Sequence, residues 1–403
     1  MLTESLLADA RAIADRIITL RRAIHAEPEL GLETPKTLAK VRAELADLSL
    51  EWREGPSTTG AVAIMKGAQP GRTVLLRGDM DALPMGEETG LPFASTIPGR
   101  MHACGHDTHT AMLAGAARIL AARQADLAGE VRFMFQPGEE GFHGARFMLE
   151  DGLLGGTDSY PLPEAAFAMH IMPNAPHGVL GSRDGALLAA ADMVEITVTG
   201  KGGHASMPHD TRDPVPVACE IVGALQTLVT RRFNAAEAVV ITITQLDAGS
   251  AHNIIPNEAR LRGTIRTLSP ENRARVREEV SQLAQGIAAA HGMKATAGFV
   301  QGFPPTINDP RAVSLGEAVA KELGGEQGFL RMEHPIMGAE DFSYVLQAMP
   351  GAMFFLGVAH EGDDWSQCCG LHSSRMMVDE AVLPRGAAFL AGCATRFLEQ
   401  GWS

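Results

Sequence analysis

Four short apolar runs, Val74–Leu76, Val131–Phe135, Ala165–Met169 and Met353–Leu356, constrain this chain more than any other feature. They lack the polar alternation of a half-solvated strand, so each fits a strand buried on both faces. The stretches between them carry helical spacing, and helices are what join parallel neighbours in a sheet. The chain is expected to be α/β, with a mixed, mostly parallel sheet. Thr34 and Pro35 read as the N-cap and first-turn residue of one such helix.

Between residues 187 and 301 the texture changes. MVEITVTG alternates apolar and polar residues, Val215–Phe233 has helical spacing, AVVITITQLDAG and ARLRGTIRTL alternate again, Ser269-Pro270 opens a helix, and KATAGFV closes the segment. Strand, helix, strand, strand, helix, strand is the order of a ferredoxin-like unit, and the alternation implies one wet face. After Pro304 the first texture returns. The expected organisation is an α/β domain in two parts, residues 1–186 and 302–403, interrupted by a small inserted α+β domain, 187–301.

At 403 residues the chain exceeds one ordinary core. Its formal charge of −14 argues against nucleic-acid and anionic-membrane partners, which select clustered Lys and Arg. A small molecule or a metal fits better. No apolar run approaches the ~20 residues that span a bilayer. The cysteines, Cys104, Cys219, Cys368, Cys369 and Cys393, are few and odd in number, which reads as a reducing cytoplasm without a disulfide framework.

Polar residues cluster just after the apolar runs: RGDMDALP after the first, PGEE after the second, His170 after the third. Ligands in open α/β sheets gather outside the carboxyl ends of strands. MHACGHDTHTAML adds Cys104 and His106, and GLHSS adds His372. Cys104, His106, Glu140, His170 and His372 are five N, O or S donors, more than one tetrahedral ion takes, so a two-metal site is the natural use of the surplus. Two adjacent glutamates cannot point the same way, which leaves Glu139 for the substrate side if Glu140 binds metal. Alone, the pair also fits a solvated acidic turn. Asp79 and Asp81 would share a face if their strand continued, with Asp81 orienting an imidazole; an ordinary Asp-containing loop fits as well. His204 on a glycine-rich loop, Asn253 and the strand residue Arg266 fit either substrate binding or plain exposure. His25, His102 and His109, with His143, His177, His209 and His252, read mostly as surface or supporting residues.

The ordered motifs RGDMDALPM, MHACGHDTHTAML, FQPGEEGFHGARFMLEDG, MHIMPNAPHG, GKGGHASMPHDTRDPV, AHNIIPNEARLRGTIRTL, GAEDFSYVL and FFLG followed by LHSS span nearly the whole chain. In them the sequence resembles the di-metal aminoacylase/carboxypeptidase family, in the branch of hippurate hydrolases, N-acyl-amino-acid amidohydrolases and indole-acetyl-amino-acid hydrolases. The resemblance implies a catalytic domain interrupted by a lid and dimerisation domain. It makes Cys104, His106, Glu140, His170 and His372 ligands of two divalent ions (zinc, manganese, cobalt or nickel), Glu139 the general base and Asp81 its acidic neighbour. His204 matches a lid histidine that in relatives reaches the partner subunit's site, and Asn253 and Arg266 match substrate-holding lid residues. The implied activity is hydrolysis of N-acyl amino acids by a homodimer or higher homo-oligomer. A metallo-carboxypeptidase or dipeptidase acting on short peptides, and a non-catalytic metal- or ligand-binding protein, are the alternatives.

Overall fold

A computed structural model describes residues 2–402. The chain forms two compact units, one of the described residues up to Leu187, Ile307–His334 and those from Asp341 onward, the other of Leu188–Thr306 and Pro335–Glu340.

The first unit opens with α1 (Leu2–Ala12), α2 (Ala14–His25) and α3 (Pro35–Glu44). There follow β1 (Glu51–Glu54), β2 (Ala61–Lys66), β3 (Gln69–Asp79), α4 (His106–Ala121), β4 (Ala128–Gln136), α5 (Gly144–Glu150), β5 (Ala165–Met172) and β6 (Leu180–Ser182). The second unit carries β7 (Ala190–Thr199), α6 (Pro214–Arg232), β8 (Val239–Ala248), β9 (Glu258–Thr267), α7 (Pro270–Ala290) and β10 (Lys294–Val300). The chain then returns to the first with α8 (Pro310–Gly324), β11 (Phe329–Arg331), α9 (Ser343–Ala348), β12 (Gly351–Gly357) and α10 (Leu383–Gln400).

Each of the four apolar runs lies inside a strand of one eight-stranded sheet, ordered β1-β2-β4-β3-β5-β12-β6-β11. Its centre, β4-β3-β5-β12, is parallel, while β1, β2 and β6 introduce antiparallel pairs. The fold is mixed α/β with a mostly parallel central sheet. Phe133, Phe135, Phe167 and Phe354 fill its interior and are fully buried. Helix α4 is buried almost all round, which its run of Ala, Gly and Thr permits because small side chains let neighbouring backbones close in. Gly78 of β3 shows how close: a Cβ there would lie 2.8 Å from the carbonyl oxygen of His109.

The start of α3 departs from expectation. Thr34 does precede the helix, but its hydroxyl makes no capping bond. The carboxylate of Glu29 accepts from the backbone N–H groups of Lys36 (3.2 Å) and Thr37 (2.8 Å) instead, taking over the donors that a helix N-terminus leaves open.

The second unit is an antiparallel sheet ordered β8-β9-β7-β10. Val194, Ile196, Leu261 and Ile265 of the sheet are buried in one core with Val217, Ile221 and Leu225 of α6 and Val276, Val280 and Ala284 of α7. Met193 and Val300, on the alternate positions of β7 and β10, are exposed. Ser269 caps α7, its hydroxyl accepting from the Asn272 N–H at 3.2 Å. Among the described residues no helix is long and apolar enough to cross a membrane.

Candidate metal centre

The parallel strands deliver their carboxyl ends to one place. Asp79 ends β3, Gln136 ends β4 three residues before Glu139, and His170 lies near the end of β5. Helix α4 begins at His106 because Gly105 turns the chain into it at φ +80°, and a Cβ at Gly105 would run into Ile171 of β5. Only glycine fits that turn.

Ligating atoms of Cys104, His106 and His170 lie within 4.8 Å of one another, as do those of Cys104, Glu140 and His372, and of His106, Glu139 and Glu140. The groups share members, so the donors form one continuous set. His170 is buried, and that burial holds its pKa well below the usual imidazole value. Its Nδ1 lies 2.7 Å from the Ile171 carbonyl oxygen and donates to it, which leaves the Nε2 lone pair facing Cys104 Sγ at 3.4 Å. His106 is wholly buried, yet neither ring nitrogen makes a hydrogen bond. Asp81 Oδ1 is 3.4 Å from Nδ1 but poorly aligned, and Asp79 Oδ2 is 3.7 Å from Nε2. Glu140 Oε1 faces His372 Nε2 at 3.2 Å. His372 adopts a left-handed backbone, φ +62°, and its N–H donates to the carbonyl of Ala103 at 2.8 Å, tying its loop to the Cys104 segment.

These residues suit a cation. A buried imidazole without hydrogen bonds is costly, and both nitrogens of His106 lack one, with only the Asp81 and Asp79 carboxylates nearby. Burial pushes the Cys104 thiol up to about 12, so the protein alone does little for the thiolate that a soft cation would stabilise.

Asp81 leaves the strand that carries Asp79, because β3 stops at Asp79. The shared strand face does not form, yet both carboxylates flank the His106 ring. Asp81 Oδ1 accepts from the Glu139 N–H and Oδ2 from the Glu140 N–H, each at 3.0 Å, so one side chain shapes the turn that presents both glutamates. Glu139 is 6 % exposed, which removes it from the solvated-turn reading.

The other three candidates stand in the second unit. His204 lies on a two-residue strand paired with Ile254–Ile255, and the Ala205 N–H donates to the Asn253 carbonyl at 3.1 Å, so the His204 and Asn253 segments adjoin. The Ser206 N–H donates to His204 Nδ1 at 3.1 Å, which puts the ring proton on the exposed Nε2. Arg266 sits on β9 between Val240 and Ala191, its pKa lowered by burial against the pull of Asp192.

Three of the histidines read as surface or supporting residues are not on the surface. His25, His102 and His109 are buried, at 1 %, 0 % and 2 % exposure. His25 Nδ1 meets Asp107 Oδ2 at 2.8 Å and Nε2 meets Glu87 Oε1 at 3.1 Å. His109 lies one helical turn after His106, a spacing that puts both on one helix face and was the available signal. A buried network of Arg77, Gln136 and Asp341 also went unread: Arg77 Nε donates to Gln136 (2.8 Å), and Gln136 and the Ala145 N–H donate to Asp341 (2.7 and 2.9 Å).

The sequence pattern that defines peptidase family M20/M25/M40 matches residues 75–396. The chain belongs to that family and is one of its metal-dependent amidohydrolases. It is 39 % identical to the thermostable carboxypeptidase 1 of Saccharolobus solfataricus over 98 % of this chain and 99 % of that one. It is 38 % identical to the N-acetylcysteine deacetylase of Bacillus subtilis over 96 % and 98 %. The crystal structure of the Bacillus subtilis YXEP protein, described as a dinuclear metal-binding peptidase of the M20 family, superposes with a TM-score of 0.82 at 34 % identity, covering 96 % of this chain and 99 % of that one.

Proposed function

We propose that this chain hydrolyses the amide bond of N-acyl amino acids, releasing a carboxylic acid and a free amino acid. The observation that carries the reading is a difference between adjacent glutamates: both lie by His106, Glu140 also groups with Cys104 and His372, and Glu139 is buried on a turn held by Asp81. Cys104, His106, Glu140, His170 and His372 would hold two divalent cations, and zinc, manganese, cobalt and nickel all accept such a mixed set. Bound there, the cations supply Lewis-acid chemistry, polarising a carbonyl and acidifying water. Glu139 takes the proton of the attacking water and passes it to the departing amine. Asp81 keeps the Glu139 backbone from drifting during that transfer.

In this reading residues 1–186 and 302–403 make the catalytic domain and 187–301 a ferredoxin-like lid and dimerisation domain of a cytoplasmic homodimer or higher homo-oligomer. His204, with its Nε2 proton exposed, would donate to the oxyanion of a partner's site. Asn253 and Arg266 would hold the polar end and the carboxylate of the substrate. The deacetylase relative supports an N-acyl substrate. The carboxypeptidase relative favours a second reading, peptide hydrolysis at the same site.

The test is a panel of N-benzoyl, N-acetyl and N-indole-acetyl amino acids with matched dipeptides, on chelated protein with and without added divalent metal. Metal-dependent cleavage of the acylated amino acids is expected. Preference for dipeptides would select the peptidase reading, and no turnover with any cation would leave a binding protein.

A further inference from the structure

We infer that His109 is a positioning residue that aims two of the proposed cation ligands, His106 and His170, at once. The inference rests on the two-cation reading above and assigns a task to a buried side chain which that reading leaves idle.

The three rings form a triangle, the His109 centroid lying 5.4 Å from that of His106 and 4.5 Å from that of His170, which are themselves 5.9 Å apart. The Ile171 N–H donates to His109 Nε2 at 2.9 Å. A backbone amide can only donate, so Nε2 carries no proton. The ring proton is then on Nδ1, which donates to Asp79 Oδ1 at 2.6 Å. Both nitrogens are spoken for. His109 is thus no ligand, although its ligating atom lies within 4.8 Å of those of Asp79 and His106.

What it holds at each end is what matters. Ile171 is the residue whose carbonyl accepts from His170 Nδ1 and so turns His170 Nε2 toward Cys104. Asp79 is the residue whose other oxygen stands 3.7 Å from His106 Nε2. Removing the His109 ring leaves a buried N–H on Ile171 without an acceptor and releases one arm of Asp79, so both imidazoles lose a fixed neighbour. Partners that orient metal-binding histidines in this way typically change metal affinity 10- to 100-fold when mutated.

The experiment is cobalt(II) titration of the chelated full-length chain, followed by visible absorption, for the wild type, H109L, H109Q and H109N. Leucine fills the space and makes neither bond. Glutamine keeps an acceptor in reach of the Ile171 N–H, and asparagine keeps a donor in reach of Asp79. Cobalt affinity of H109L is expected to fall ~10- to 100-fold with an altered absorption band, and H109Q or H109N to recover part of it. Wild-type affinity and an unchanged band in H109L would overturn the inference, as would a loss that neither polar variant recovers. If H109L does not fold, H109Q and H109N decide: bands that differ from wild type and from each other support the role, and wild-type bands in both overturn it. A wild-type chain that takes up no cobalt sinks the two-cation reading itself, whereas cobalt binding that ignores all three substitutions sinks only this inference.

Discussion

At the scale of the residue, the site separates groups that bind from the group proposed to move a proton. Glu139 and Glu140 are identical side chains in adjacent positions on a turn held by Asp81; both lie by His106, and Glu140 also lies by Cys104 and His372. Glu139→Gln removes the proton acceptor and preserves shape. The variant is expected to bind cobalt like the wild type while kcat falls ~10²- to 10⁴-fold, the usual worth of a general base. Equal turnover in the two proteins would move the base elsewhere. The donor types were legible in the sequence, because Cys, His and Glu are recognisable wherever they stand. The state of each was not. That neither nitrogen of His106 is hydrogen-bonded depends on where Asp79 and Asp81, far from it in sequence, stand, and that His170 Nδ1 is occupied depends on the backbone turning the Ile171 carbonyl toward it.

At the scale of elements, α2 and α4 are joined by charge as well as packing. His25 at the end of α2 faces Asp107 in the first turn of α4 and Glu87 of the loop before α4, and Arg21 Nε donates to the same Asp107 at 2.7 Å. Burial works against a charged His25, but Asp107 and Glu87 override it and raise its pKa to about 9. In the unfolded chain the ring titrates near ~6.5. The joint therefore stabilises the fold fully below about pH 6.5, and that contribution is lost as pH rises through about 9. His25→Gln is expected to lower stability by a few kcal/mol at pH 6 and by much less at pH 10, measured by denaturant unfolding. A loss that does not change with pH would mean that the ring acts by packing alone. This ionic joint was not legible in the sequence, since nothing local marks a lone histidine as buried. The N-terminus of α3 makes the same point, with Glu29 reaching across from outside the helix to do what Thr34 was expected to do.

At the scale of the molecule, the donors of the proposed centre come from positions 104 to 372, so a bound cation would tie the segment of the first unit that ends at Leu187 to the one that starts at Asp341. A ligand that binds only the folded state stabilises it by about 4 kcal/mol at a thousandfold excess over Kd. Adding zinc or manganese to chelated protein is expected to raise Tm by several degrees, read by scanning calorimetry. No shift with either cation, nor with cobalt or nickel, would argue that the donor set does not close around metal. The sequence by itself determined the α/β alternation, the change of texture near residue 187 and the kinds of donor present, because periodicity and side-chain chemistry are properties of near neighbours. Only the tertiary structure decided that His25, His102 and His109 are buried and that His109 lies against His106 and His170. The parallel order of β4, β3, β5 and β12, and the close approach of α4 to Gly78, set positions far apart in the chain side by side, and no short-range pattern records that proximity.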